Sequence, residues 1–88
     1  MPLPRALEFT IYTRQDCCLC DEMKQTLGRV AGARAIIQVT DVDQCLELQA
    51  RFGEEVPVLF INGRKAFKYR VTDRELRAEL KRVLKQSG

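Results

Sequence analysis

The sequence predicts a small α/β domain, a four-stranded mixed sheet flanked by helices in the order β-α-β-α-β-β-α. Three observations carry this. Short β-branched and aromatic runs alternate with stretches whose apolar residues recur at helical spacing. The pair Asn62-Gly63 separates two of the β-like runs and marks a hairpin. The chain has 88 residues, enough for one core and one domain over 1–88. Residues 1–7, with Pro2 and Pro4, read as a loose amino-terminal arm.

Glu8-Phe9-Thr10-Ile11-Tyr12 reads as the first strand because it is β-branched and aromatic. From Cys17 the period changes: Leu19, Met23, Leu27, Val30 and Ala31 share one helical face, Asp21 and Glu22 suit the positive end of the helix dipole, and Gly32 ends the helix. The run Ala35-Ile36-Ile37-Gln38-Val39 gives a second strand, and Asp41 or Asp43 caps the next helix. That helix turns Val42, Cys45, Leu46, Gln49 and Phe52 to one side and stops at Gly53, which makes Cys45 a buried, inert thiol.

Val58–Ile61 is apolar at every position, as in a strand covered on both faces, with Pro57 at its entrance. Arg64–Tyr69 is the return strand of the hairpin, half exposed and at an edge, since Phe67 and Tyr69 alternate with Lys68 and Arg70. Thr72-Asp73-Arg74-Glu75 spells a capping box. Val71 and Leu76 stand where a hydrophobic staple belongs, and Leu76, Leu80, Val83 and Leu84 make the buried stripe of the last helix. Joined through a helix, the first two strands run parallel with a right-handed crossover.

Composition narrows the chemistry. The chain has no histidine, so neither an imidazole mechanism nor a His-containing zinc site is available. No apolar run approaches the roughly 20 residues that span a bilayer. The amino terminus lacks the hydrophobic segment that secretion needs, so the expected compartment is the cytoplasm, where thiols stay reduced. Net charge is +3, with −3 over residues 1–61 and +6 over residues 62–88. Arg74, Arg77, Lys81 and Lys85 follow helical spacing, but no stacking aromatics are interleaved with them. The basic third therefore reads as a solvated face and a guarded edge rather than a nucleic-acid surface.

Four cysteines occur, Cys17, Cys18, Cys20 and Cys45. Clustered cysteines in a reducing compartment point to redox chemistry or metal. Cys17 and Cys20 form a Cys-x-x-Cys pair where a strand and short loop feed a helix. The unpartnered N–H groups of the first turn stabilise a thiolate at Cys17, and Cys20, nearly one turn on, lies within reach of a mixed disulfide formed there. Cys18 is a candidate third thiol. Three thiolates in four residues could also hold a soft ion, although a closed zinc site wants a fourth ligand.

The segment Tyr12-Thr13-Arg14-Gln15-Asp16-Cys17-Cys18-Leu19-Cys20-Asp21-Glu22 resembles the active-site stretch of the thioredoxin/glutaredoxin superfamily, and in particular small bacterial glutaredoxin-like proteins with a Cys-x-Leu-Cys-Asp motif. Glu55-Val56-Pro57-Val58-Leu59 resembles the family's cis-proline hallmark, and the resemblance runs from about Glu8 to Leu84. It implies a thiol–disulfide oxidoreductase acting by dithiol exchange. Cys17 would be the exposed nucleophile and Cys20 the buried resolving thiol, with a cis Val56–Pro57 bond setting the Val56 backbone beside them. Arg14 and Asp73 join Val56 and Pro57 as expected substrate contacts. The family's Gly-Gly pair before the final helix is replaced here by Tyr69-Arg70-Val71-Thr72, and only Asp73 corresponds to the Asp that follows it. Glutathione is a candidate reductant and a disulfide-containing protein or small thiol the expected substrate; no bound organic cofactor, no resident metal at the incomplete thiolate set, no membrane partner and a monomer are expected. The alternative is a thioredoxin-fold module that binds a metal or iron–sulfur cluster, or docks a partner, without turnover.

Overall fold

The protein was analysed as a computed structural model, which describes residues 7–32 and 35–86, with side chains through Val83. Strands β1 (Leu7–Thr13), β2 (Ala35–Asp41), β3 (Val58–Ile61) and β4 (Arg64–Lys68) alternate with helices α1 (Cys18–Ala31), α2 (Leu46–Phe52) and α3 (Asp73–Gln86) in the expected order. The sheet runs β2-β1-β3-β4, with β1 parallel to β2 and antiparallel to β3, and β3 antiparallel to β4. This is the thioredoxin-like arrangement that the sequence predicts.

The pleat sorts β1 and β3 between two cores. Leu7, Phe9 and Ile11 of β1 and Leu59 and Ile61 of β3 pack with Met23 and Leu27 of α1 and Leu76 and Leu80 of α3. On the opposite face Val58, Val42 and Phe52 are buried, with Tyr12, Phe60, Leu48 and Val56 against them. Helices α1 and α3 therefore share one face of the sheet and α2 covers the other. The capping box is formed as expected: the Glu75 N–H donates to the Thr72 hydroxyl (3.1 Å) and the Thr72 N–H to the Glu75 carboxylate (3.0 Å). Asn62 and Gly63 adopt φ of 50° and 84°, the left-handed pair that a two-residue hairpin needs.

Four expectations are corrected. Residues 1–6 of the expected arm lie outside the described residues, but Leu7 belongs to β1. It pairs with Ala35 and extends the buried alternation with Phe9 and Ile11. Asp41 caps a separate 3-10 turn, Val42–Gln44, by accepting from the Asp43 N–H (2.8 Å), so α2 starts only at Leu46. That late start shifts the face of α2: Cys45 becomes its extended N-cap and is exposed, and Leu46 is 83% exposed. Strand β4 ends at Lys68, because Tyr69 turns left-handed at φ 69°. The second strand is an edge strand and leaves Ile36 and Val39 exposed. Leu84 of the expected stripe has a side chain outside the described residues.

Candidate dithiol site

The site is built where two segments meet at one end of the sheet. Tyr12 of β1 lies opposite Val58 of β3, so the loop that follows Thr13 and the loop that precedes Val58 emerge side by side. The first carries Arg14 to Cys17 and turns left-handed at Asp16 (φ 57°). The second ends in a cis Val56–Pro57 bond.

Cys17 is the N-cap of α1 in extended conformation, and its sulfur accepts the Cys20 N–H at 3.2 Å. A thiolate there would meet a backbone donor and the positive end of the helix dipole together, which favours the ionised form. Cys17 and Cys20 are joined as a disulfide, with Cα atoms 5.2 Å apart. The two sulfurs are not equivalent: Cys17 is half-buried, whereas Cys20 is 1% exposed. Cys18 is free and exposed, on the first residue of α1.

The proline loop is held from several sides. The Glu55 N–H donates to the Phe52 carbonyl (2.8 Å) and the Tyr69 N–H to the Pro57 carbonyl (2.8 Å). The Tyr69 hydroxyl lies 3.4 Å from the Glu54 carbonyl. Lys65 of β4 pairs with Glu55 at 2.7 Å, which holds the Glu55 carboxyl below its usual range. At Gly53 a Cβ would stand 2.5 Å from the Gln49 carbonyl oxygen, so any larger residue would force the backbone to shift there. A cleft of about 220 Å³ lies between α1 and the β4–α3 connection, lined by Leu19, Glu22, Met23, Thr26 and Tyr69–Thr72.

The structure thus brings Cys17, Cys20, Val56 and Pro57 to one end of the sheet. It gives Arg14 and Asp73 partners of their own. The Arg14 guanidinium forks onto Asp43, with Nε to Oδ2 at 3.2 Å and Nη2 to Oδ1 at 3.1 Å, while Nη1 donates to the Gly53 carbonyl at 3.2 Å. Asp73 is clasped by Arg29 near the carboxyl end of α1 (2.7 and 3.1 Å), which holds its carboxyl below the usual range. Arg29 stands nine residues beyond Cys20, roughly 13 Å along the helix. Asp73 thus joins α1 to α3 through this pair. Sequence reasoning missed Asp43, Gln49, Gly53 and Tyr69 as neighbours of the site. Among the described residues, no group of three or more Cys, Asp or Glu side chains is arranged to hold a metal ion. No described helix is long and apolar enough to cross a membrane.

Comparisons with known proteins bear on the family and the fold. The family model described as Glutaredoxin-like domain (DUF836) matches residues 8–81. An uncharacterized protein of Mycobacterium tuberculosis, Rv0508, is 28% identical over 78 residues, covering 82% of this chain and 80% of that protein. The crystal structure of protein XcR50 from X. campestris superposes with a TM-score of 0.74 at 29% identity, covering 84% of this chain and 96% of that one. The holo form of glutaredoxin C1 from Populus tremula x tremuloides shares the fold, with a TM-score of 0.65 at 24% identity, covering 91% of this chain and 85% of that one.

Proposed function

This chain belongs to the glutaredoxin-like domain family, and on that footing we propose that it is a thiol–disulfide oxidoreductase working by dithiol exchange. In the reduced protein the Cys17 thiolate attacks one sulfur of a substrate disulfide. The other substrate sulfur leaves as a thiolate, and a mixed disulfide joins Cys17 to the substrate. The Cys20 thiol, losing its proton, then attacks the Cys17 sulfur. The second substrate thiolate departs and the Cys17–Cys20 disulfide is left. Two electrons pass from the pair to the substrate. Two glutathione thiols, or a reductase, return the pair to the dithiol in a reducing compartment such as the cytoplasm.

The observation that carries this reading is the unequal pair at the start of α1: Cys17, half-buried, caps the helix with its sulfur, and Cys20 is buried. Val56 and Pro57 supply the substrate contacts in this reading, because an extended chain can lie along the backbone ahead of β3. Arg14 and Asp73 act through the ion pairs described above. Trapping tests the proposal. In a Cys18→Ala background, Cys20→Ser should accumulate mixed disulfides with a disulfide-bonded protein, released by dithiothreitol and absent from the Cys17→Ser counterpart. Equal yields of adduct from both variants, or none from either, overturn it.

A further inference from the structure

We propose that Asp43 is a positioning residue for the dithiol: through Arg14 it locks the loop leading into Cys17 against the loop leading into Pro57. The inference rests on the dithiol reading above and deepens it. Arg14 lies three residues before Cys17, and Gly53 four residues before Pro57. One planar guanidinium spans both segments, its Nε and Nη2 on the two Asp43 oxygens and its Nη1 on the Gly53 carbonyl. Asp43 is itself fixed twice. Its Oδ1 accepts from Gln49 Nε2 of α2 at 2.8 Å, and its N–H donates to the Asp41 carboxylate at 2.8 Å. The Gln49 amide and the guanidinium together keep the Asp43 carboxyl below its usual range, so it stays ionised and the fork stays engaged at neutral pH.

The side chains of Arg14 and Asp43 are 44% and 34% exposed. Solvent screening leaves such a pair little Coulomb energy. What the fork supplies is geometry, since bidentate pairing with a third donor leaves the guanidinium one orientation. That matters most in the reduced state. With the disulfide open, the cap bond from Cys20 is the contact that holds the Cys17 sulfur to α1. A loop anchored at Arg14 gives the dithiol fewer conformations to lose when the sulfurs meet again. The effective concentration of one thiol at the other is therefore higher, and the pair is more reducing.

Charge offers a rival account with an opposite sign. If Arg14 acted through its field on the Cys17 thiolate, removing it would disfavour the reduced form and make the potential more negative. Removing Asp43 would free that charge and make the potential more positive. Positioning predicts a more positive potential in both cases.

The test is a titration of the Cys17–Cys20 couple in glutathione buffers, two thiols losing two protons and two electrons to glutathione disulfide. It uses the full chain with Cys18→Ala and Cys45→Ala throughout, and thermal melts check folding. Arg14→Gln and Asp43→Asn should each lower the equilibrium constant for disulfide formation about fivefold, about 20 mV in the positive direction. Arg14→Lys, which keeps the charge but not the fork, should fall between them and the parent. If either variant fails to fold, Gln49→Ala must shift the potential the same way by a smaller amount. A negative shift in Arg14→Gln, or no shift in either variant, overturns the positioning role while leaving dithiol exchange intact. Failure of the parent to form a Cys17–Cys20 disulfide overturns dithiol exchange and the positioning role with it.

Discussion

The two faces of the sheet are held by different means. On one, α1 and α3 close over nine buried aliphatic and aromatic side chains, from Leu7 to Leu80. On the other, the seven-residue α2 sets its Phe52 against Val42 and Val58, a smaller buried cluster. Here packing is largely aromatic: Tyr12 stacks on Phe52 with ring centres 4.7 Å apart, and Phe60 meets both rings edge-on. A helix of two turns is too short to persist without help. The help comes from polar contacts at its rim, where Gln49, Asp43 and Arg14 join it to the dithiol loop. The broad core holds most of the buried apolar packing, while the thin one is the side tied to the dithiol loop by polar contacts.

The largest test of this difference sets two phenylalanines against each other. Phe9 lies in the broad core at 1% exposure, and Phe52 in the thin one at 6%. Urea denaturation should show Phe9→Ala losing about 4–5 kcal/mol and Phe52→Ala about 3, because a cavity near the surface collapses more easily. Equal losses would erase the distinction. A smaller effect is expected at the entrance to α3, where Thr72→Ala removes one half of the capping box and should cost about 1 kcal/mol, read as a lower urea midpoint with an unchanged slope.

The smallest effect is expected in acid. Asp73 on the broad side and Asp43 on the thin side both have carboxyls held below their ordinary values, by Arg29 and by Gln49 with Arg14. A depressed folded-state value means that each contributes stability above its unfolded pKa of about 4, lost as pH falls through the folded one. Melting temperatures followed into the acid range should decline less steeply in Asp73→Asn and in Asp43→Asn than in the parent. A parallel decline would show that neither pair contributes.

What could be read from the sequence follows from the range of the signal. The α1 and α3 stripes repeat over several turns, and Met23, Leu27, Leu76 and Leu80 are buried as expected. The Cys-x-x-Cys pair and the capping box are also legible, since each is complete within four residues. The start of α2 was misplaced because a 3-10 turn shifts the phase of a helix too short to re-establish it, which put Cys45 and Leu46 on the wrong side. Tyr69 looked like one more alternating strand residue. Its left-handed φ belongs to a three-residue turn closed by the Arg70 N–H on the Lys68 carbonyl (2.8 Å), while its own N–H goes to the Pro57 carbonyl, a tertiary contact. Arg14 and Asp43 lie 29 positions apart, as Arg29 and Asp73 lie 44 apart, and no local pattern encodes such pairings.

Gly53 shows how an omitted carbon can shape the contacts of a neighbouring loop. Its amide closes the last bond of α2 on the same Gln49 oxygen that a methyl group would strike. Alanine would collide with that oxygen, so the backbone there, and with it the carbonyl on which Arg14 leans, would have to shift.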